Sequence, residues 1–163
     1  KLEEMGLDII ENDDSVEVCG NGELRRVNIK TLPYPGFPTD MNPQIGVLLC
    51  LAKGVSCLTE SIYDNRFKYV EELKRMGASI TVDGSTAIIE GGGMLSAAPV
   101  KALDLRAGAA MIIAGLAARG RTEIEDIHFI ERGYDDIVGK LRSVGADIKK
   151  VIIPSAVSFE KAN

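Results

Sequence analysis

Residues 140–148 read KLRSVGADI, and two similar words stand at residues 72–80 (ELKRMGASI) and 1–9 (KLEEMGLDI). Their glycines are Gly6, Gly77 and Gly145, spaced 71 and then 68 residues apart. A glycine just past the last helical turn is the usual left-handed cap. Each word is therefore read as a helix end followed by an alternating strand. Two more marks keep nearly the same period. Gly54 and Gly120 each end a long apolar segment, and Arg66 and Arg132 each start the next helix, both pairs 66 apart. The repeating unit is apolar helix, glycine, strand, arginine, amphipathic helix, glycine, strand pair. Such a period marks a supersecondary unit stacked on copies of itself. Its mixture of elements predicts an α/β fold in which sheets enclose buried helices.

Residues 44–52 (QIGVLLCLA) and 107–118 (AGAAMIIAGLAA) carry no charge, the pattern of helices buried on all sides. Residues 66–76 and 134–144 are amphipathic, with Ile137, Leu141 and Val144 on one half-exposed face. Strands are predicted over 55–62, 79–82, 86–90 and 122–127, with a hairpin turn at Asp83-Gly84 and a looser one at Asp13-Asp14-Ser15. Gly91-Gly92-Gly93 is a flexible loop; no helix or Gly-Lys-Ser/Thr follows it to make a phosphate loop. The period divides the chain into 1–30, the tail of a preceding unit, 31–99, a second unit, and 100–163, a third unit with a C-terminal tail. The chain opens on Lys1, and KLEEMG reads as a helix end without its beginning. The expectation is a piece of a longer protein.

The 163 residues are 45% hydrophobic and 26% charged, a globular balance. Nineteen basic against 24 acidic residues give a net charge of −5, a poor fit to nucleic acid or an anionic membrane. Uncharged apolar stretches reach only about a dozen residues, where a membrane span needs about 20. No signal peptide is read at the start. Cys19, Cys50 and Cys57 show neither a disulfide framework nor metal-ligand spacing, so a reducing cytoplasm is expected, with no metal or cofactor.

Candidate chemistry concentrates in residues 32–42, LPYPGFPTDMN. Its prolines make a stiff linker that delivers Thr39-Asp40 to a buried helix. Asp40 either caps that helix or is a carboxylate held ionised and aimed as a general base. Asp104 and Arg106 stand at the matching place in the next unit, as a cap with a solvated arginine or as an anion site. Arg66 and Arg132, at strand-to-helix turns, are either surface arginines or planar holders of carboxylate or phosphate. His128, the only histidine, falls on the polar side of a strand and faces solvent. No cysteine has a basic neighbour to activate it.

PYPGFPTDMNPQ, TESIYDNRF, ELKRMGA, DLRAGAAMIIAGLAA and IERGYDDIVGKLRSVGADI closely resemble the UDP-N-acetylglucosamine 1-carboxyvinyltransferases, or enolpyruvyl transferases, over roughly residues 1–151. The resemblance covers the C-terminal two-fifths or so of such an enzyme. It implies an inside-out α/β barrel of βαβαββ units, here incomplete, and a cleft facing a second domain. It also implies the substrates phosphoenolpyruvate and UDP-N-acetylglucosamine, and the first committed step of peptidoglycan synthesis. Matched residue by residue, it makes Asp40 the proposed base and Ile62 and Tyr63 the lining of the nucleotide pocket, and it gives Arg66 of the same motif a supporting role. Asp104 and Arg106 fall at the reaction site, and Arg132 on phosphoenolpyruvate. Tyr63 stands where the family often has Phe and keeps the stacking ring. The reactive loop residue of the family belongs to the absent portion. No cysteine here takes its place, so the chain alone is expected to be inactive.

Two rivals share the architecture. A 5-enolpyruvylshikimate-3-phosphate synthase would be expected to carry a more basic motif where Ile62-Tyr63 stands, and RNA 3′-phosphate cyclase fits the acidic balance poorly. A third reading is a non-catalytic binding or structural module. Its exposed apolar face would drive self-association.

Overall fold

The computed structural model describes residues 1–20 and 22–152. Each cap glycine is left-handed there: Gly6, Gly77 and Gly145 have φ of 96, 89 and 96°. The following N–H, of Leu7, Ala78 or Ala146, reaches back to Leu2, Leu73 or Leu141 at 3.1, 3.0 and 3.0 Å. The glycine N–H itself donates to the carbonyl of Glu3, Lys74 or Arg142. This is the paired closure of a Schellman cap, present three times.

The chain runs β1 (Leu7–Glu11), β2 (Val16–Gly20), β3 (Ile29–Lys30), α1 (Asn42–Leu51), β4 (Gly54–Thr59), α2 (Val70–Arg75), β5 (Ser79–Asp83) and β6 (Thr86–Gly91). It continues through β7 (Pro99–Lys101), α3 (Leu105–Ala117), β8 (Glu123–Glu125), α4 (His128–Glu131) and α5 (Ile137–Ser143). Single 3₁₀ turns at Thr39–Met41 and Arg66–Tyr69 lead into α1 and α2. β1 and β2 form a hairpin; β3, β4, β6 and β5 form one sheet in that order; β7 pairs with β8. β3 runs parallel to β4, as β7 does to β8, and the hairpin strands are antiparallel. The repeat extends to register. Ile29 pairs with Leu58 as Val100 does with Ile124, and the bridge from Arg25 to Lys53 recurs from Ser96 to Arg119.

The main core lies between α1, α3, α2 and the four-stranded sheet. Leu49, Leu58, Tyr69, Leu73, Met76 and Met111 are fully buried there. A smaller cluster around Ala102, Ile112 and Ile130 holds α4 and α5. The described residues form an open, layered α/β arrangement and do not close a barrel. None of their helices is long and apolar enough to cross a membrane.

Several expectations are corrected. The helix predicted over 107–118 is not buried all round: Ile113 and Leu116 are 40% and 45% exposed, because α1 and α4 cover only part of α3. The strand predicted to Ile127 stops at Glu125, where Asp126 turns left-handed (φ 59°). His128 therefore opens α4 and is exposed on a helix. Arg132 closes α4 instead of opening the next helix. α5 starts only after left-handed Asp136, whose side chain accepts from the Gly139 N–H, and Val144 is 81% exposed at its end. The strand predicted to Ile62 ends at Thr59. Residues 146–152 form no strand after the third cap, and the rest of the predicted tail, 153–163, lies outside the described residues.

Candidate functional site

Asp40 does not cap α1. That helix begins at Asn42 with Met41 as its N-cap and no side-chain cap bond, while Asp40 lies in the preceding 3₁₀ turn. Its carboxylate instead receives a bidentate arginine. Arg106 donates from Nε to Oδ1 at 2.7 Å and from Nη2 to Oδ2 at 2.8 Å. The partners are 66 residues apart, the period read from the sequence. They sit in the first turns of the two units' central helical segments, so the packing of α1 beside α3 brings them together. Asp104 fixes the other end of this arrangement. It caps α3 by accepting from the N–H groups of Arg106 and Ala107, both at 2.8 Å.

Arg66 is buried, not a solvated surface group. It is 8% exposed, its guanidinium stacks 4.2 Å from the Tyr63 ring centroid, and its Nε donates to Thr39 Oγ1 at 3.3 Å. Its Nη2 stands 3.6 Å from Asp40 Oδ1. Hydrogen bonding by Arg106, reinforced by its charge and that of Arg66, outweighs partial burial and holds the Asp40 carboxyl below its usual range. The same contact holds Arg106 more firmly protonated. The result is an ionised carboxylate, half exposed, flanked by two cations.

Ile62 and Asp40 face a largely apolar groove of about 450 Å³ formed with Leu32, Pro33, Tyr34 and Pro38. The Tyr34–Pro35 bond in its wall is cis. Arg132 is exposed at the end of α4. A Cβ on the following Gly133 would come within 2.8 Å of Leu105, so that segment lies against the first turn of α3, beside Arg106. Asp40, Ile62, Tyr63, Arg66, Asp104 and Arg106 thus gather in one region, with Arg132 at its edge. A second hollow of about 600 Å³, near Lys1 and Arg25, contains none of them. Among the described residues no His, Cys, Asp and Glu side chains group to hold a metal ion. Burial pushes the Cys50 thiol up to about 12, which leaves it inert.

One site residue escapes the sequence reading. Glu60 is 5% exposed and accepts five hydrogen bonds. Burial opposes its charge, but donors from Thr31, the Ile62 and Tyr63 amides and Thr39 outweigh that and lower its pKa. A lone glutamate at a strand end looks like a solvated residue. The one available signal is its place beside Thr59 and Ser61, ahead of Ile62-Tyr63.

The sequence profile of the family described as EPSP synthase (3-phosphoshikimate 1-carboxyvinyltransferase) matches residues 1–141. A UDP-N-acetylglucosamine 1-carboxyvinyltransferase 3 from Caldanaerobacter subterraneus is 58% identical over 93% of this chain, and a UDP-N-acetylglucosamine 1-carboxyvinyltransferase from Clostridium botulinum is 57% identical over the same share. The chain spans about 36% of the length of each. Among solved structures, the enolpyruvyl transferase NikO from Streptomyces tendae superposes with a TM-score of 0.83 at 30% identity, over 91% of this chain and 34% of its own. An EPSP synthase from Acinetobacter baumannii, at 21% identity and TM-score 0.63 over 91% of this chain and 35% of that one, shares the fold.

Proposed function

The chain belongs to the EPSP synthase family, and from that premise we propose that it forms part of an enzyme that transfers enolpyruvyl from phosphoenolpyruvate to the 3′-hydroxyl of UDP-N-acetylglucosamine. The observation that carries this is the Asp40 carboxylate, ionised, rigidly aimed and flanked by Arg106 and Arg66 beside an apolar groove. The names of the 57–58% identical relatives support the acceptor. The proposal places the reaction in the cytoplasm as the first committed step of peptidoglycan synthesis, and so in cell-wall growth, cell shape and division. The chain then consists of the tail of one repeat unit over 1–30, a second unit over 31–99 and a third with its tail over 100–163, and its partner is the rest of the same enzyme. The alternatives, a shikimate-directed transferase or a non-catalytic module, have less support.

In this reading Asp40 takes the 3′-hydroxyl proton as that oxygen bonds to C2 of phosphoenolpyruvate, while C3 gains a proton from an acid outside this chain. C3 then loses a proton and the bond from C2 to the phosphate oxygen breaks, releasing phosphate and leaving the enol ether. Arg106 and Arg132 hold the donor's anionic groups. Ile62 and Tyr63 line the nucleotide side, Arg66 props Tyr63, and Asp104 fixes the backbone of Arg106. A carboxylate gripped by two guanidinium donors is a weak base, so Arg106 releases Asp40 when the donor binds and takes the new anion instead. The test is phosphate release by the complete enzyme. Turnover with UDP-N-acetylglucosamine and none with shikimate 3-phosphate is expected; the reverse overturns the reading.

A further inference from the structure

Glu60 takes no part in the reaction above, yet its two oxygens serve two different segments of the site. Oε1 accepts from the N–H groups of Ile62 and Tyr63 at 2.9 and 3.0 Å and from Thr31 Oγ1 at 2.7 Å. Oε2 accepts from Thr39 Oγ1 and Asn42 Nδ2, both at 2.9 Å. The first set fixes the pocket wall to β3 through Thr31, whose own hydroxyl also receives the Ser61 N–H at 2.9 Å. The second set fixes the residue before Asp40 and the first residue of α1. Asn42 is anchored in turn by the Tyr69 hydroxyl, which donates to its Oδ1 at 2.9 Å.

We propose that Glu60 is a positioning residue that sets the spacing between the base Asp40 and the Ile62–Tyr63 wall of the acceptor pocket. The inference rests on the function proposed above. All five partners approach as donors, so the centre must be an acceptor on both sides, and only a carboxylate meets that condition. A glutamine in the same place has one acceptor oxygen. Its amide would face either the Thr39 and Asn42 donors or the two backbone N–H groups, and one segment would shift. Misplacement of a reacting group by about 1 Å costs on the order of 100-fold in rate. A brace that served folding alone would lower stability without separating the kinetic constants.

Glu60→Gln and Thr39→Val are measured in the complete enzyme by steady-state kinetics, with circular dichroism and melting temperature alongside. For Glu60→Gln, kcat is expected to fall tenfold or more and KM for UDP-N-acetylglucosamine to rise several-fold, with KM for phosphoenolpyruvate within twofold. Thr39→Val frees Oε2 on the Asp40 side and removes one acceptor of Arg66, which stays stacked on Tyr63 and beside Asp40, so kcat falls and the nucleotide-sugar KM rises less than in Glu60→Gln. If Glu60→Gln does not fold, the Thr39→Val split decides. Variants that melt lower but keep both constants within twofold, once corrected for folded fraction, overturn the inference while leaving the proposed function intact. Wild-type enzyme that does not consume UDP-N-acetylglucosamine overturns the function and this inference with it.

Discussion

At the residue scale, the Asp40–Arg106 pair makes a prediction about pH. Arg106 depresses the Asp40 pKa, chiefly by hydrogen bonding, and Arg66 adds its charge. A depressed carboxylate stabilises the fold above the ordinary carboxylate range and loses that contribution as pH falls through its lowered value. The carboxylate is more than half exposed, so the effect on stability is small. Its effect on titration is direct. In Arg106→Gln the Asp40 carboxyl, followed by NMR, is expected to move up toward the ordinary carboxylate range; an unchanged value would show that Arg66 alone holds it. Asp40→Asn is expected to lose about 100-fold or more in kcat, the usual worth of a positioned base. Asp40 and Arg106 were legible because each is a charge at the mouth of an apolar segment, and Arg66 because a guanidinium recurs with Arg132 at a strand-to-helix turn. Glu60 was not, because its burial is created by Thr31, Thr39 and Asn42, which are remote in sequence. Arg66 and Arg132 share the period but not the setting: Arg66 is buried, and Arg132 is exposed at the end of α4.

At the scale of elements, α1 shows how close packing sets a site. Tyr69 is buried beneath the helix, and a Cβ added to Gly46 would stand 2.5 Å from its hydroxyl and 3.1 Å from its ring. Alanine is the better helix former by about 1 kcal/mol, but overpacking costs about 1–3 kcal/mol. Gly46→Ala is therefore expected to lower the melting temperature of the complete enzyme. Tyr69→Phe removes the nearest obstacle and also the hydrogen bond to Asn42, worth about 1 kcal/mol. The two changes together are expected to cost less than their sum, by about 1 kcal/mol. Strict additivity would mean that α1 moves away from Tyr69 at no cost. The glycine caps were readable because left-handed backbone needs that residue whatever lies around it. The limits of β8 and α5 were not, because Asp126 and Asp136 adopt left-handed backbone that their sequence neighbours do not announce.

At the scale of the molecule, the described residues leave two apolar surfaces uncovered. α3 exposes Ile113 and Leu116, and the β1–β2 hairpin stands as a two-stranded sheet with Val16 and Val18 62 and 53% exposed on one face and Ile10 50% exposed on the other. The equivalent hairpin, β5–β6, is completed by β4, which pairs along β6 from Gly54 to Thr59. A lone hairpin is marginal in water, and an unpaired edge invites another strand. The open faces were legible only in part. Uncharged helices signal burial, but a sequence does not say whether the covering partner is present. The 163-residue chain by itself is thus expected to self-associate at micromolar concentration in sedimentation velocity, and to release no phosphate from the two substrates. Val16→Lys with Val18→Lys places two charges on β2, which opposes edge pairing, and shifts the chain toward monomer. A wild-type chain that sediments as a folded monomer across the concentration range would show that these surfaces are tolerated in water. Phosphate release by it would place the whole catalytic apparatus within these residues.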